Sequence, residues 1–322
     1  MTFLSLLIFV PLQLAFLPLT IFGASLVVYR QLVVSRRLGV SQTAIEILNG
    51  RWTMHVFGMR DDPASVALCA ALPNASSLGL WLALFPLYVT YKITSQHFLY
   101  PRVPMAGKET IADLVTARTV HFDRMLTRAL DRVQQAVLLG AGMDTRAYAL
   151  LNRDGVRVFE LDQQATQTLK TAHLDAAGID ASGVTFVSVD FARRDAFDRL
   201  EAAGYDPEKK TVFLWEGVTL YLAEDDVRRT LRDVKERAAP GSVLVADLYA
   251  TRFVNIANKG ATKKTLDYTN EGLQFALPFE AKHEDALRRF VESEGLRLGE
   301  AAFMGTSHDE GPFMVVAEIA SA

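Results

Sequence analysis

Residues 136–148 read Ala-Val-Leu-Leu-Gly-Ala-Gly-Met-Asp-Thr-Arg-Ala-Tyr. Val137 to Leu139 form a short apolar run of the kind buried inside a parallel sheet. The run ends at Gly140, Gly142 follows two residues later, and a helical pattern opens near Asp144. Strand, glycine turn, helix is the order by which α/β proteins bring backbone N–H groups and a helix N-terminus up to a nucleotide-like ligand. Glycine suits both turn positions, because a Cβ would obstruct either the ligand's close approach or a turn with positive φ. The third glycine of the dinucleotide fingerprint would fall at Met143–Thr145 and is missing, which weakens a nicotinamide reading and leaves it open.

Outward from this turn the pattern alternates. Strands are predicted over 136–139, 156–160, 184–189, 211–215 and 242–248, with helices over 144–152, 164–177, 195–203 and 224–238. A loop, a helix over 281–294 and two strands over 296–304 and 312–319 complete the chain. Such alternation predicts an α/β, doubly wound, mostly parallel seven-stranded sheet.

The first 130 residues read differently. Phe3 to Tyr29 contains no charged residue, and at ~1.5 Å per residue it reaches roughly 40 Å, more than the ~30 Å hydrocarbon core. Arg30, Arg36 and Arg37 follow. Residues 1–5 carry no basic side chain and the run is long, unlike a signal peptide. The expectation is an apolar membrane-anchor segment over 1–37, its arginines holding the rest of the chain on the cytoplasmic side. Pro11 and Pro18 each remove a helix hydrogen bond and complicate a straight span, so an interfacial helix and a buried one stay as alternatives. Residues 38–130 read as a helical lid or substrate section, with helices over 41–48, 64–72, 78–91 and 108–130. Breakers at Asp61-Asp62-Pro63, Pro73-Asn74 and Pro101–Pro104 separate them. The apolar run Leu78–Tyr91 suits a membrane interface or an active-site lid equally. Residues 131–322 form the third division.

Composition excludes some classes of function. The 322 residues carry a net charge of −3 with half of them hydrophobic, so there is no basic footprint for nucleic acid. Cys69, the single cysteine, cannot form an intramolecular disulfide and sits in an alanine-rich helical pattern that suits a core position. No His/Cys/Asp/Glu grouping has metal-ligand spacing, so no metal is implied.

In a doubly wound sheet, ligands lie beyond the carboxyl ends of the strands. Those ends carry Gly140, Gly142 and Asp144; then Asp162, about twenty residues on, where a carboxylate meets ribose hydroxyls; then Asp190 and Phe191; then Glu216. Each acid has a structural alternative: Asp144 and Asp162 as N-caps, Asp190 as a turn residue, Glu216 as a buried ion-pair partner. His121 and Asp123 follow Arg118 on one helix. Tyr221, Asp247, Tyr249 and His308 follow strand ends and are candidates to line an acceptor pocket.

Thr116-Ala-Arg-Thr-Val-His-Phe-Asp123, the Gly-Ala-Gly-Met-Asp-Thr-Arg turn, Phe159-Glu-Leu-Asp162, Val189-Asp-Phe191 and Trp215-Glu-Gly-Val-Thr-Leu-Tyr-Leu222 resemble, in order and spacing, the leucine carboxyl methyltransferase-like family. This is a family of class I S-adenosylmethionine-dependent methyltransferases with a Rossmann-like fold. The resemblance covers roughly 108–250. It implies S-adenosyl-L-methionine as cofactor, with Arg118 on the methionyl carboxylate and Gly140 and Gly142 admitting the cofactor to the backbone. It further implies Asp162 on the ribose, Asp190 and Phe191 beside the adenine, and Glu216 near the amino group and sulfonium. No catalytic base is implied; His121, Tyr221 and Tyr249 are weak candidates. Residues 1–100 depart from the family pattern, so the acceptor is expected to be small, hydrophobic or lipid-like, methylated on oxygen at a membrane. A nicotinamide-dependent oxidoreductase and a non-catalytic membrane scaffold are the competing readings.

Overall fold

In the computed structural model, which describes residues 2–279, 282–307 and 311–321, seven strands form one sheet. They are β1 (Gln135–Leu139), β2 (Arg157–Asp162), β3 (Val184–Ser188), β4 (Thr211–Trp215), β5 (Val243–Tyr249), β6 (Leu296–Met304) and β7 (Met314–Ser321). Their order is β3-β2-β1-β4-β5-β7-β6. The first five are parallel, and β7 runs antiparallel to both β5 and β6. Every predicted strand is present to within two residues at either end. β1 pairs with β2 on one side and β4 on the other, Leu139 facing Leu161 and Leu138 facing Leu214. That register brings Gly140, Asp162 and Glu216 to one edge, at the topological switch point.

The chain divides into two units: Met1–Val103 with Met143–Thr145 and Thr168–Asp180, and Pro104–Gly142 with Arg146–Gln167 and Ala181–Ala322. The first is helical. α1 (Thr2–Val28) continues through a π-helical stretch (Tyr29–Val34) into α2 (Ser35–Leu38), which ends at Gly39 in the left-handed conformation. Pro11 and Pro18 lie inside α1 without ending it. α3 (Gln42–Val56), α4 (Pro63–Ala71) and α5 (Ser77–Thr94) each start on a side-chain cap: Ser41, Asp62 and Ser76 accept from Ala44, Ser65 and Gly79 N–H. Such caps satisfy donors that a helix start leaves bare. Cys69 is buried in α4, where burial pushes its thiol up to about 11, so it acts as a small core residue.

In the second unit, period-two alternation along the strands builds two hydrophobic layers. Val137 and Leu139 pack with Phe159, Leu161 and Phe213 against α8 (Ala196–Ala202), α9 (Glu224–Arg237) and α12 (His283–Ser293). Ala136 and Leu138 face the other way, onto Ala117, Phe122, Met125 and Leu126 of α6 (Leu114–Leu130). α7 (Gln164–Leu174) follows β2. Two predictions are corrected here. The segment after β5, read as loop, contains α10 (Thr251–Ala257) and α11 (Gly260–Thr269); α11 is mostly polar and has only a weak apolar period to betray it. The helix expected over 144–152 is a 3₁₀ turn at Arg146–Tyr148. Its would-be first residues are engaged elsewhere, as described next.

Candidate cofactor site

The glycine turn after β1 is tied to the end of β2. Gly140 and Ala141 N–H both donate to the Leu161 carbonyl, at 2.8 and 2.9 Å. Gly142 N–H donates to Asp162 Oδ2 at 2.6 Å, and Asp162 Oδ1 accepts from Gln163 N–H at 2.7 Å. Asp162 is therefore the clamp of the turn. Gly140 and Gly142 have φ of 76° and 49°. A Cβ on Gly140 would overlap Val218 Cγ2, so backbone conformation and Val218 both call for glycine there. The three N–H groups are committed, and no α-helix follows at once. A pyrophosphate would need uncommitted N–H groups and a helix N-terminus instead.

Asp144 and Thr145 belong to the first unit, where Asp144 is held bidentately by Arg51 (2.6 and 2.9 Å) and its carbonyl accepts from Lys170 Nζ at 2.7 Å. Thr145 Oγ1 donates to the Asp62 carboxylate at 2.8 Å. These long-range partners replace the capping role that an α-helix would have asked of Asp144.

Around Arg118 the second unit builds a buried charge cluster. Arg118 Nε lies 3.1 Å from Glu216 Oε1, and Nη1 lies 3.1 Å from Asp247 Oδ2 and bonds Tyr249 Oη. Arg146, fully buried, pairs through Nε with Asp123 Oδ1 at 2.6 Å and through Nη1 with Glu216 Oε2. Asp247, 0% exposed, also accepts two 2.9 Å bonds from Gly217 N–H and one of 3.0 Å from Tyr249 Oη. Burial raises the Asp247 carboxyl to about 6, with Arg118 pulling it down and Glu216 pushing it up. Burial opposes the Arg118 charge, but Tyr249, Glu216 and Asp247 outweigh it and hold the guanidinium protonated. Burial pushes the Tyr249 hydroxyl up as well, so it keeps its proton.

Two guanidiniums thus face three carboxylates. With all ionised, the cluster holds one negative charge in excess, complementary to a ligand of net positive charge. Arg118 is 5% exposed, yet its buried Nη2 has no hydrogen-bond partner among the described residues. A buried guanidinium N–H is costly when unmade and strong when met by a carboxylate. The residues present fit S-adenosylmethionine, which carries a carboxylate beside an ammonium and a sulfonium.

The remaining sequence candidates are placed as follows. Asp190 accepts from Ala192 N–H at 3.0 Å in a turn beyond β3, and Phe191 is buried, its carbonyl taking Arg229 Nη2 at 2.6 Å. His121 is directed to Arg124, 3.4 Å away, on the side of Glu109 and Glu300; its pKa is lowered, first by burial. Tyr221 closes a 3₁₀ turn after β4, and its carbonyl accepts from Gln274 at 2.8 Å. Tyr249 and Asp247 both contact Arg118 through its Nη1. His308 lies outside the described residues. Sequence reasoning assigned no role to Arg146. Its available signal was an arginine directly after the glycine turn; for Asp247 it was a lone acid inside the apolar strand Val243–Tyr249.

A five-stranded parallel block, closed by an antiparallel hairpin in the order β3-β2-β1-β4-β5-β7-β6, is the class I methyltransferase fold. Residues 100–235 match the profile of the leucine carboxyl methyltransferase family, in agreement with the resemblance of the motifs. A putative S-adenosyl-L-methionine-dependent methyltransferase of Mycolicibacterium vanbaalenii is 36% identical over 149 residues, covering 45% of this chain and 48% of that protein. One so named from Mycolicibacterium smegmatis is 31% identical over 194 residues, covering 59% and 63%. The chain spans about half the length of most of the curated relatives it matches. A DUF574 family protein from Streptomyces avermitilis aligns in structure over 65% of this chain and 84% of its own, at 16% identity and a TM-score of 0.47.

Proposed function

We propose that this protein is an S-adenosylmethionine-dependent methyltransferase that methylates oxygen on a small or hydrophobic acceptor at a membrane, its catalytic unit on the cytoplasmic side. The observation that carries the cofactor assignment is the buried, unpartnered Arg118 Nη2 inside a cluster with one negative charge in excess. Arg118 receives the methionyl carboxylate, Glu216 faces the ammonium, and Asp162 turns toward the ribose hydroxyls from its place at the glycine turn. Asp190 and Phe191 flank the adenine. When bound, the cofactor supplies an electrophilic methyl group on sulfur.

Methyl transfer of this kind depends mainly on proximity and alignment. Asp247 and Tyr249 act as positioning residues: both hold Nη1 of Arg118, so that Nη2 is presented without rotamer search. A carboxylate acceptor needs no base. For a hydroxyl acceptor, His121 is held neutral by burial, the form in which an imidazole accepts a proton. The membrane part of the reading rests on the uncharged run Phe3–Tyr29 followed by Arg30, Arg36 and Arg37.

Calorimetry on the full chain in detergent tests the cofactor. Heat is expected with S-adenosylmethionine and with S-adenosylhomocysteine. Asp162→Asn should weaken both by about 10- to 100-fold, the worth of a charged hydrogen bond. Absence of heat with either ligand defeats the proposal. Incubating labelled cofactor with a lipid and metabolite extract then identifies the acceptor, since base-labile label marks a methyl ester.

A further inference from the structure

Helix α1 is turned inside out relative to a helix of a water-soluble protein. Ser5 and Gly23 are buried, and Gln13 and Thr20 are half-buried with them along one stripe. This stripe faces α5. Gly23 and Gly79 approach so closely that a Cβ on Gly23 would lie 2.6 Å from the Gly79 carbonyl oxygen, and Phe16 meets Phe85 with ring centroids 4.9 Å apart. Phe9 meets Phe98 at 5.6 Å, so the two helices run antiparallel. The opposite side is apolar and open, with Phe3 73% and Leu14 68% exposed and Leu7, Val10, Leu17, Ile21 and Phe22 beside them. Ser25, on that side, turns its hydroxyl back to the Ile21 carbonyl at 2.8 Å. Polar groups inward and hydrocarbon outward is the arrangement an apolar solvent selects.

The other side of α5 argues against a simple crossing. Trp81 packs edge-on to Trp52 of α3 at 5.4 Å, and Tyr88 and Tyr91 pack on Phe57. α3 also carries Arg51, paired with Asp144, so the layer packed against α5 includes a buried ion pair next to Trp52. A span by α1 would draw that layer to bilayer depth, where charged groups are costly. The prolines agree. Pro11 and Pro18 are exposed and have no N–H, so the carbonyls of Leu7 and Leu14 on the same open side lack their usual helix donor. Within the hydrocarbon a neighbouring helix, a side chain or a local backbone adjustment would have to satisfy them, whereas at the headgroup boundary water does so directly.

We infer that α1 lies in the plane of one leaflet, its open side in the acyl–headgroup boundary and its closed side on α5. Arg36 and Arg37, both exposed in α2, into which α1 continues, meet anionic headgroups. This deepens the membrane reading above and rests on it, while standing apart from the cofactor assignment.

The test is spin-label depth on the full chain in vesicles of phosphatidylcholine and phosphatidylglycerol, with single cysteines at Leu4→Cys, Leu14→Cys and Phe22→Cys. These sites are open, so folding is preserved, and buried Cys69 stays unlabelled. The expected result is equal accessibility to oxygen relative to a water-soluble nickel quencher at all three sites, within about twofold, at a shallow depth. A label at Leu14 deep at the bilayer centre with the outer two shallow overturns the in-plane geometry and keeps the membrane. No lipid contact at any site, or a soluble dimer that buries all three, overturns both; calorimetry with S-adenosylmethionine decides the cofactor separately.

Discussion

Replacing Arg118 by glutamine should convert a pH-independent stability near neutrality into a pH-dependent one. In the wild-type protein burial raises the Asp247 carboxyl from 3.8 to about 6. Between those values the folded state holds a proton that the unfolded chain has released, so stability falls as pH rises through that window and is level above it. Two pH units correspond to ~3 kcal/mol at ~1.4 kcal/mol per unit. Without Arg118 the downward pull is gone, the carboxyl moves above 6, and the falling region extends upward with it. Glu216 keeps Arg146, and Asp247 keeps its bonds from Gly217 and Tyr249. The loss at about pH 8.5 should therefore be ~3–5 kcal/mol, that of breaking a buried pair. At about pH 5.5, where a neutral Asp247 needs no counter-charge, it should be smaller by roughly 1–3 kcal/mol. Urea unfolding of both proteins at these pH values and at neutrality measures the difference. An equal loss at every pH would refute the coupling between Arg118 and the ionisation of Asp247.

Gly140→Ala should destabilise by about 2–3 kcal/mol, from a strained positive φ and the overlap with Val218. Adding Val218→Ala should recover the overlap and leave the conformational share; full recovery in urea midpoints would show that φ costs nothing there. Arg51→Met should lower stability by ~3–5 kcal/mol by stranding the buried Asp144 carboxylate. Asp144→Asn in the same chain should restore part of that loss in thermal melts, and strictly additive effects would rule the pairing out.

Much of the sheet was legible because its signals are local. Val137–Leu139 and Thr211–Trp215 are short apolar runs bounded by turn residues, and strands so bounded need no distant partner to be recognised. The same locality explains the failures. Asp144 looks like a helix start, yet its partner is Arg51, 93 residues away. The polar sequence of α11 offers little period, so tertiary placement rather than pattern makes it helical.

The cofactor side divides along the same line. Gly140, Gly142, Asp162, Asp190 and Glu216 were assigned to strand ends by counting, because a parallel sheet brings successive carboxyl ends to one edge whatever its detailed packing. The charges around Arg118 were not countable. Arg118 meets Asp247 across 129 residues, and Arg146 meets Glu216 across 70.

The first helix makes the same point for the membrane. Composition announced an uncharged stretch long enough to cross a bilayer. Which side of it faces protein, and which faces outward, depends on α5, more than fifty residues later in the chain. By itself the sequence determined strand order along the chain, the glycine turn and the acids beyond the strands, since these follow from periodicity and connection length. Only the tertiary structure decided which carboxylates share Arg118, why Gly140 must be glycine, and which side of α1 is left open. Those are matters of packing between segments distant in sequence, and no local pattern encodes them.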